Sequence, residues 1–365
     1  MHTLVSILLC LIFINLSSAL PIICYYKFND PPIIRVPTDL CTHIILIGSA
    51  GISEEGQLII SENHIKHFAT LKTIRNDIKL LLCITSPNPT FTYLTSSQQL
   101  MNQFGNDTTQ LLNRYQLDGI DIDWEFPVWS QDAKKGDKQQ FALFLEILNN
   151  HLHSSSKLLS IAVSGPPTIT KVAYDVDAIT KYVDMVQVMN YDFHIFNRFK
   201  NPFVGFNAPL HPMRFEISVL GQMNSEKSME TWFDMGLPRN ITYFGIPTYA
   251  RSFQLLTTYL HKPYSPAIRA RNDLINYNDI CPFIRLDYYK KVWNHNAQSP
   301  YLYGNDGLWV SYEDNRSILA KTAFARKIGV AGVMVFSIGS DDSKDECGQG
   351  KYPLLSEIHR LVNKY

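Results

Sequence analysis

Leu117-Asp118-Gly119-Ile120-Asp121-Ile122-Asp123-Trp124-Glu125-Phe126-Pro127 alternates acids with large apolar residues. In a strand, successive side chains point to opposite faces, so Asp121, Asp123 and Glu125 share one face while Ile120, Ile122 and Trp124 share the other. Acids crowded on one face repel one another and lose solvation. Their pKa values are driven apart and a proton is retained at neutral pH, which is how a protein makes a general acid. The plainer readings are an exposed acidic strand or a divalent-ion loop. Against them stand the apolar intervening positions and the bracketing Gly119 and Pro127, which describe a short strand, whereas a calcium loop is glycine-rich and flexible.

Working outward, short apolar runs rich in branched residues predict strands at Ile22 to Tyr26, Thr42 to Ile47, Ile78 to Ile84, Gly119 to Asp123, Leu158 to Val163, Met185 to Met189, Tyr243 to Pro247 and Val330 to Phe336. Between them, Ile65, Phe68 and Leu71 share a helical face, as do Leu111, Leu112 and Tyr115, and then Phe141, Phe144, Leu145 and Leu148. Asp107 and Ser317 stand where N-caps are expected, and Gly329 where a helix would end. Eight nearly apolar strands alternating with helices predict an α/β fold, a (β/α)8 TIM barrel. A doubly wound open sheet is the rival. The barrel ranks first because the acids end the fourth strand, where barrel enzymes keep their chemistry, and no glycine-rich turn follows the first strand. The roughly eighty residues before the eighth strand exceed what a βα unit needs. Seven tyrosines from Tyr259 to Tyr303 predict a small folded α+β insertion there, at about residues 254–329, walling one side of a cleft.

Acidic and basic residues balance at 33 each in 365, so neither a nucleic-acid partner nor an acidic substrate is implied. The apolar run from Leu4 to Leu16, followed by Ser17-Ser18-Ala19, reads as a signal peptide over residues 1–19. A membrane anchor is the alternative, but the run is short for a span and no other stretch approaches the length. The expectation is a secreted, extracellular protein beginning near Leu20, with no membrane partner, and a monomer by default. Cys24, Cys41, Cys83, Cys281 and Cys347 then remain, an odd count in an oxidising compartment. Cys83, inside an apolar run, reads as a buried free thiol. Pairing Cys24 with Cys41 and Cys281 with Cys347 is one arrangement, which spacing alone does not fix. Sequons at Asn106, Asn240 and Asn315 fit secretion.

A second stretch with chemistry is Met189-Asn190-Tyr191-Asp192-Phe193-His194, at the end of the sixth strand. In a barrel the ends of strands four and six open into one mouth, so Tyr191 and Asp192 can approach Glu125. Acids with a phenol, and neither a serine-nucleophile motif nor metal-spaced histidines, favour acid–base work on a neutral substrate, glycoside hydrolysis above all. No metal or cofactor is implied. By residue type alone His194 reads as structural, and Met189 and Phe193 as packing. Asp192 reads equally as a partner for Arg251 or as a member of the site.

Asp118-Gly119-Ile120-Asp121-Ile122-Asp123-Trp124-Glu125 closely resembles the signature of glycoside hydrolase family 18, the chitinases and chitinase-like lectins. The likeness extends through Cys24-Tyr25-Tyr26, Leu40 to Ile44, Met189 to His194, Gly245 to Phe253, Cys281 and Gly350 to Leu354. It implies one catalytic barrel over residues 20–365, the insertion and both disulfides. It further implies a secreted hydrolase of β-1,4-linked N-acetylglucosamine, retaining by a substrate-assisted route in which the substrate's own acetamido carbonyl attacks the anomeric carbon. Glu125 matches the general acid, Asp123 the residue that orients the acetamido group, Asp121 its proton-sharing support, and Tyr191 the phenol on the acetamide. Asp192, Tyr249 and Arg251 match cleft contacts, with Met189, Met334 and Phe336 assigned to its sugar-binding walls. Asp118 is structural beside the site. The implied partner is chitin, a chito-oligosaccharide or another GlcNAc-containing glycan.

The sequence also departs from that pattern. A Ser-x-Gly-Gly-Trp-like segment is replaced by Ile84-Thr85-Ser86-Pro87-Asn88-Pro89, and the indole expected on the eighth strand is Phe336. Trp129 could add one ring on the leaving-group side. Stacking on indoles supplies much of the affinity for neutral sugars, so weaker binding of long crystalline chitin is expected. The alternative function is a chitinase-like lectin with little or no catalysis.

Overall fold

The computed structural model describes residues 19–364; the signal-peptide reading therefore lies outside the described residues except for Ala19. Eight parallel strands close a barrel: β1 Ile22–Lys27, β2 His43–Ile52, β3 Lys79–Thr85, β4 Gly119–Asp123, β5 Leu158–Ser164, β6 Met185–Met189, β7 Thr242–Pro247 and β8 Gly332–Phe336. Closure is through β1, which pairs with both β8 and β2. The predicted barrel is thus observed, each strand within a few residues of its expected position.

Period-two alternation divides the core. Ile23, Tyr25, Ile45, Leu81, Cys83 and Met334 fill the barrel interior. Their strand neighbours Ile22, Cys24, Ile44, Leu80 and Val335 face outward into the layer beneath the helices. Both faces of the strands are dry, which is why they read as continuous apolar runs.

Two predicted caps were misplaced. Asp107 lies inside the helix Gln98–Tyr115, which Ser97 caps by accepting from the Leu100 amide. The apolar face of that helix begins at Met101 and Phe104, a turn and more before the residues that signalled it. Ser317 is the third residue of the helix Asn315–Ile328, paired reciprocally with the true cap Asp314 in a capping box. Gly329 ends that helix as expected, in the left-handed region at φ 71°.

The insertion is an antiparallel five-stranded sheet, spanning Arg251–Leu255 to Leu308–Ser311, with one helix, Tyr277–Arg285. Phe253, Tyr301 and Trp309 pack there with Phe206 from the segment after β6. It is shorter at its end than the range 254–329, because the helix Asn315–Ile328 packs back on β7 and β8 as part of the barrel. Disulfides join Cys24 to Cys41 and Cys281 to Cys347, and Cys83 is a buried free thiol. Closing loops of 17 and 66 residues stabilises the fold by about 3 and about 4 kcal/mol in the chain-entropy model. The second bond fastens the insertion's helix to the segment that follows β8.

Candidate active site

The carboxyl ends of the strands open into a cleft of about 390 Å³ lined by Tyr25, Asp123, Glu125, Met189, Tyr191, Asp192, Tyr249, Arg251 and Phe336, among others. Ile47, Ile169, Ile195 and Ile275 add aliphatic walls. Gly165 sits where a Cβ would come 2.2 Å from the Met189 carbonyl oxygen, so only glycine lets β5 and β6 meet beneath this wall.

β4 supplies the acids. Asp121 is fully buried, between Cys83 of β3 and Ser160 of β5 in register. Tyr25 Oη and Ser160 Oγ each donate to it at 2.6 Å. With its amide turned so that nitrogen faces the acid, Gln187 of β6 also donates to Asp121 Oδ1 at 3.1 Å and to the Ile161 carbonyl at 2.6 Å. Burial raises the Asp121 carboxyl, while the Ser160, Tyr25 and Cys83 donors pull it back. These donors favour the charged form.

Asp123, one step nearer the mouth, has no such support. Its carboxyl is pushed well above the usual range by burial first, then by Glu125 and Asp121. Asp123 Oδ1 is buried without a hydrogen-bond partner among the described residues. Glu125 is raised by burial and then by the charge of Asp192. It reaches solvent through the cleft, yet stands deep between the walls, and the depth sets the direction of its shift. Coulombic coupling between Asp123 and Glu125 means a proton is shared across the pair and not assigned to one member.

Asp192 answers the question left open by its sequence. Its Oδ1 accepts from Tyr249 Oη at 2.7 Å and from Arg251 Nε and Nη2 at 2.9 and 2.6 Å. The same residue lines the cleft and raises Glu125, so it is both a partner of Arg251 and a member of the site. It holds a left-handed φ of 59°, steadied by its amide donating to Asn207 Oδ1 at 3.0 Å. Tyr191 is buried with its hydroxyl directed at Met334 Sδ, 3.8 Å away, a weak acceptor. Phe336 contacts Tyr25, Tyr191 and Tyr249 at ring-centroid distances of 5.5 to 6.2 Å and forms the floor.

Two predicted wall residues are elsewhere. Met334 is completely buried inside the barrel, beneath Tyr191, and does not line the cleft. Trp129 is half exposed on the surface past β4 and is likewise absent from the lining. Asp118 accepts from the Leu80 amide at 2.8 Å and pairs with Lys72 at the far end of β4, a structural role. His194 is buried against the Phe203 carbonyl oxygen at 2.9 Å, and burial lowers its pKa, so it too is structural.

Sequence reasoning missed Tyr25, Ser160, Gln187, Asn207 and Asn88. The available signal was polarity in the wrong place: Ser160 and Gln187 each interrupt an apolar strand. Asn88 begins the helix Asn88–Thr95, within the segment that departs from the resembled pattern. Its side chain donates to the Glu125 carbonyl oxygen at 2.8 Å.

Comparison with known proteins agrees with this geometry. The model of the glycosyl hydrolases family 18 matches residues 21–341. Chitotriosidase-1 of Mus musculus is 26% identical, over 97% of this chain and 80% of that protein. The crystal structure of Ostrinia furnacalis Group IV chitinase in complex with allosamidin superposes with a TM-score of 0.87 at 26% identity, covering 94% of this chain and 99% of that one. Human YKL-39, described as a pseudo-chitinase with retained chitooligosaccharide binding, shares the fold at a TM-score of 0.85 and 24% identity, over 94% of this chain and 100% of its own.

Proposed function

This chain belongs to the glycosyl hydrolases family 18, and from that membership we propose that it is a secreted hydrolase of β-1,4-linked N-acetylglucosamine with a retaining, substrate-assisted mechanism. Glu125 gives its proton to the glycosidic oxygen. The acetamido carbonyl of the sugar attacks the anomeric carbon, and Asp123 holds the acetamido N–H and balances the positive charge that develops. Tyr191 donates to the same acetamide. Asp121, its carboxyl raised by burial and held by Tyr25 and Ser160, lies beneath the pair and supports Asp123 by sharing a proton.

The observation that carries this reading is a pair of unmet hydrogen-bonding groups. Asp123 Oδ1 has no protein partner among the described residues, and the Tyr191 hydroxyl has only a thioether at 3.8 Å. Buried polar groups are ordinarily paired, and an acetamido group offers the donor and the acceptor these two lack.

A second reading, a chitooligosaccharide-binding lectin, draws support from Phe336 on the floor in place of an indole, and from the YKL-39 fold likeness. Fluorogenic chitobiose and chitotriose substrates separate the two. The wild type should release product and Glu125→Gln should not. Equal turnover by both proteins, with oligomer binding retained, gives the lectin reading.

A further inference from the structure

Eleven of the 21 exposed large apolar side chains among the described residues fall in two stretches, residues 195–220 and 256–269. Phe199 and Tyr259 are each 91% exposed, and Ile217 is 76% exposed. Apolar residues scattered singly over a surface need no explanation, but a contiguous group does. These stretches are contiguous. The Tyr264 amide donates to the Val204 carbonyl oxygen at 2.8 Å, and the Ala267 amide to that of Pro202 at 2.9 Å. Phe215 packs on Tyr264 at 5.8 Å between ring centroids.

The same surface carries a one-sided charge, in a chain with no net charge. Arg198, Lys200, Arg214, Lys262 and Arg269 are all exposed there, and Glu216 is the single acid. Glu216 is turned inward, accepting from Tyr264 Oη at 2.5 Å and the Met213 amide at 2.7 Å. Cations and apolar tips are interleaved at the scale of single residues, as in Arg198-Phe199-Lys200 and Arg214-Phe215. A second copy of this chain would set five cations against five. A polyanion in solution would satisfy the cations and leave the phenylalanines wet. An anionic bilayer surface meets both needs, its headgroups taking the cations and its acyl boundary the rings.

We propose that the loops of residues 195–220 and 256–269 form a peripheral docking surface for anionic lipid bilayers. The expectation of no membrane partner rested on the lack of a spanning segment, and a surface that lies on a bilayer needs none. Ile195 belongs both to this surface and to the cleft lining, so docking would seat the active site beside the membrane. The inference is independent of the hydrolytic reading.

The test is co-sedimentation of the purified secreted chain with vesicles of phosphatidylcholine alone and of phosphatidylcholine mixed with phosphatidylserine. Sedimentation is expected with the mixed vesicles and should fall as salt is raised. Each cation removed, as in Lys200→Ala or Arg214→Ala, should lower partitioning about five-fold. Phe199→Ser with Ile217→Ser should release the protein while thermal unfolding and turnover of a soluble oligomer stay unchanged. No sedimentation with either vesicle overturns the proposal. So does sedimentation that these substitutions leave intact, a concentration-dependent dimer that they abolish, or binding to a soluble polyanion that is insensitive to the Phe199 and Ile217 changes.

Discussion

The amide of Asn88 accepts the indole N–H of Trp124 at 2.5 Å through Oδ1, while its nitrogen holds the carbonyl of the next residue, Glu125. Trp124 is itself locked between Phe91 and Phe141 on the outer side of the barrel. One side chain at the start of the helix after β3 therefore holds the backbone that carries the acid at the end of β4. Asn88→Ala leaves the indole N–H buried without a partner and should cost about 1–3 kcal/mol. It should lower kcat about ten-fold with little change in KM, because the acid loses its aim and the sugar does not lose its walls. Trp124→Phe removes the indole donor and keeps the bond to Glu125, so kcat should hold. Steady-state kinetics on a chitotriose substrate, beside thermal unfolding, read both.

In the mechanism proposed above, Asp192 and Arg251 should move the alkaline limb of the pH profile in opposite directions. Glu125 must be protonated to act, and the charge of Asp192 helps keep its pKa raised. Asp192→Asn lowers that pKa, so the alkaline limb should move about one pH unit toward acid. Arg251→Leu leaves Asp192 uncompensated, and the limb should move the other way. Limbs that shift together would remove the electrostatic account.

Asp123 carries a stability cost imposed by its burial beside Glu125 and Asp121. Its folded-state pKa lies well above the ordinary 3.8 through burial and the charges of Glu125 and Asp121. A carboxyl so shifted contributes its stability in full below the unfolded pKa and loses it as pH rises through the folded one. Asp123→Asn is free of that loss. Its melting temperature should exceed the wild type's by roughly 2 °C or more at neutral pH, the gap closing below about pH 4, while hydrolysis is abolished.

Phe336→Trp should lower KM for oligomers several-fold by widening the apolar floor among Tyr25, Tyr191 and Tyr249. Titration of oligomers into the Glu125→Gln background gives the binding change without turnover. An unchanged affinity would mean that sugars do not rest on this ring.

The barrel was legible because its signal is repeated: each buried strand is an apolar run, and the acids of β4 stand against that pattern. Ser160, Gln187 and Tyr25 were not legible as a group. Their common target, Asp121, is brought to them by pairing across β4, β5 and β6 and by β1 from across the barrel, at separations of up to 96 residues. Asn88 was noticed only as a departure, since no local rule says which distant carbonyl an amide will hold. Met334 was misassigned for a related reason. Proximity to Phe336 in the chain places it on the same strand, but whether a residue of β8 meets the cleft or the packed interior depends on its height in the barrel.

The bond between Cys281 and Cys347 joins the insertion to the stretch that continues from the floor strand β8. Tyr277 Oη adds a hydrogen bond to Gln349 at 3.1 Å across the same seam. Ile275, two residues ahead of the bridged helix, lines the cleft, so the wall it belongs to is tethered to the chain that leaves the floor strand. A ligand that enters beside a tethered wall loses less ordering entropy on each encounter than one that must order a free loop.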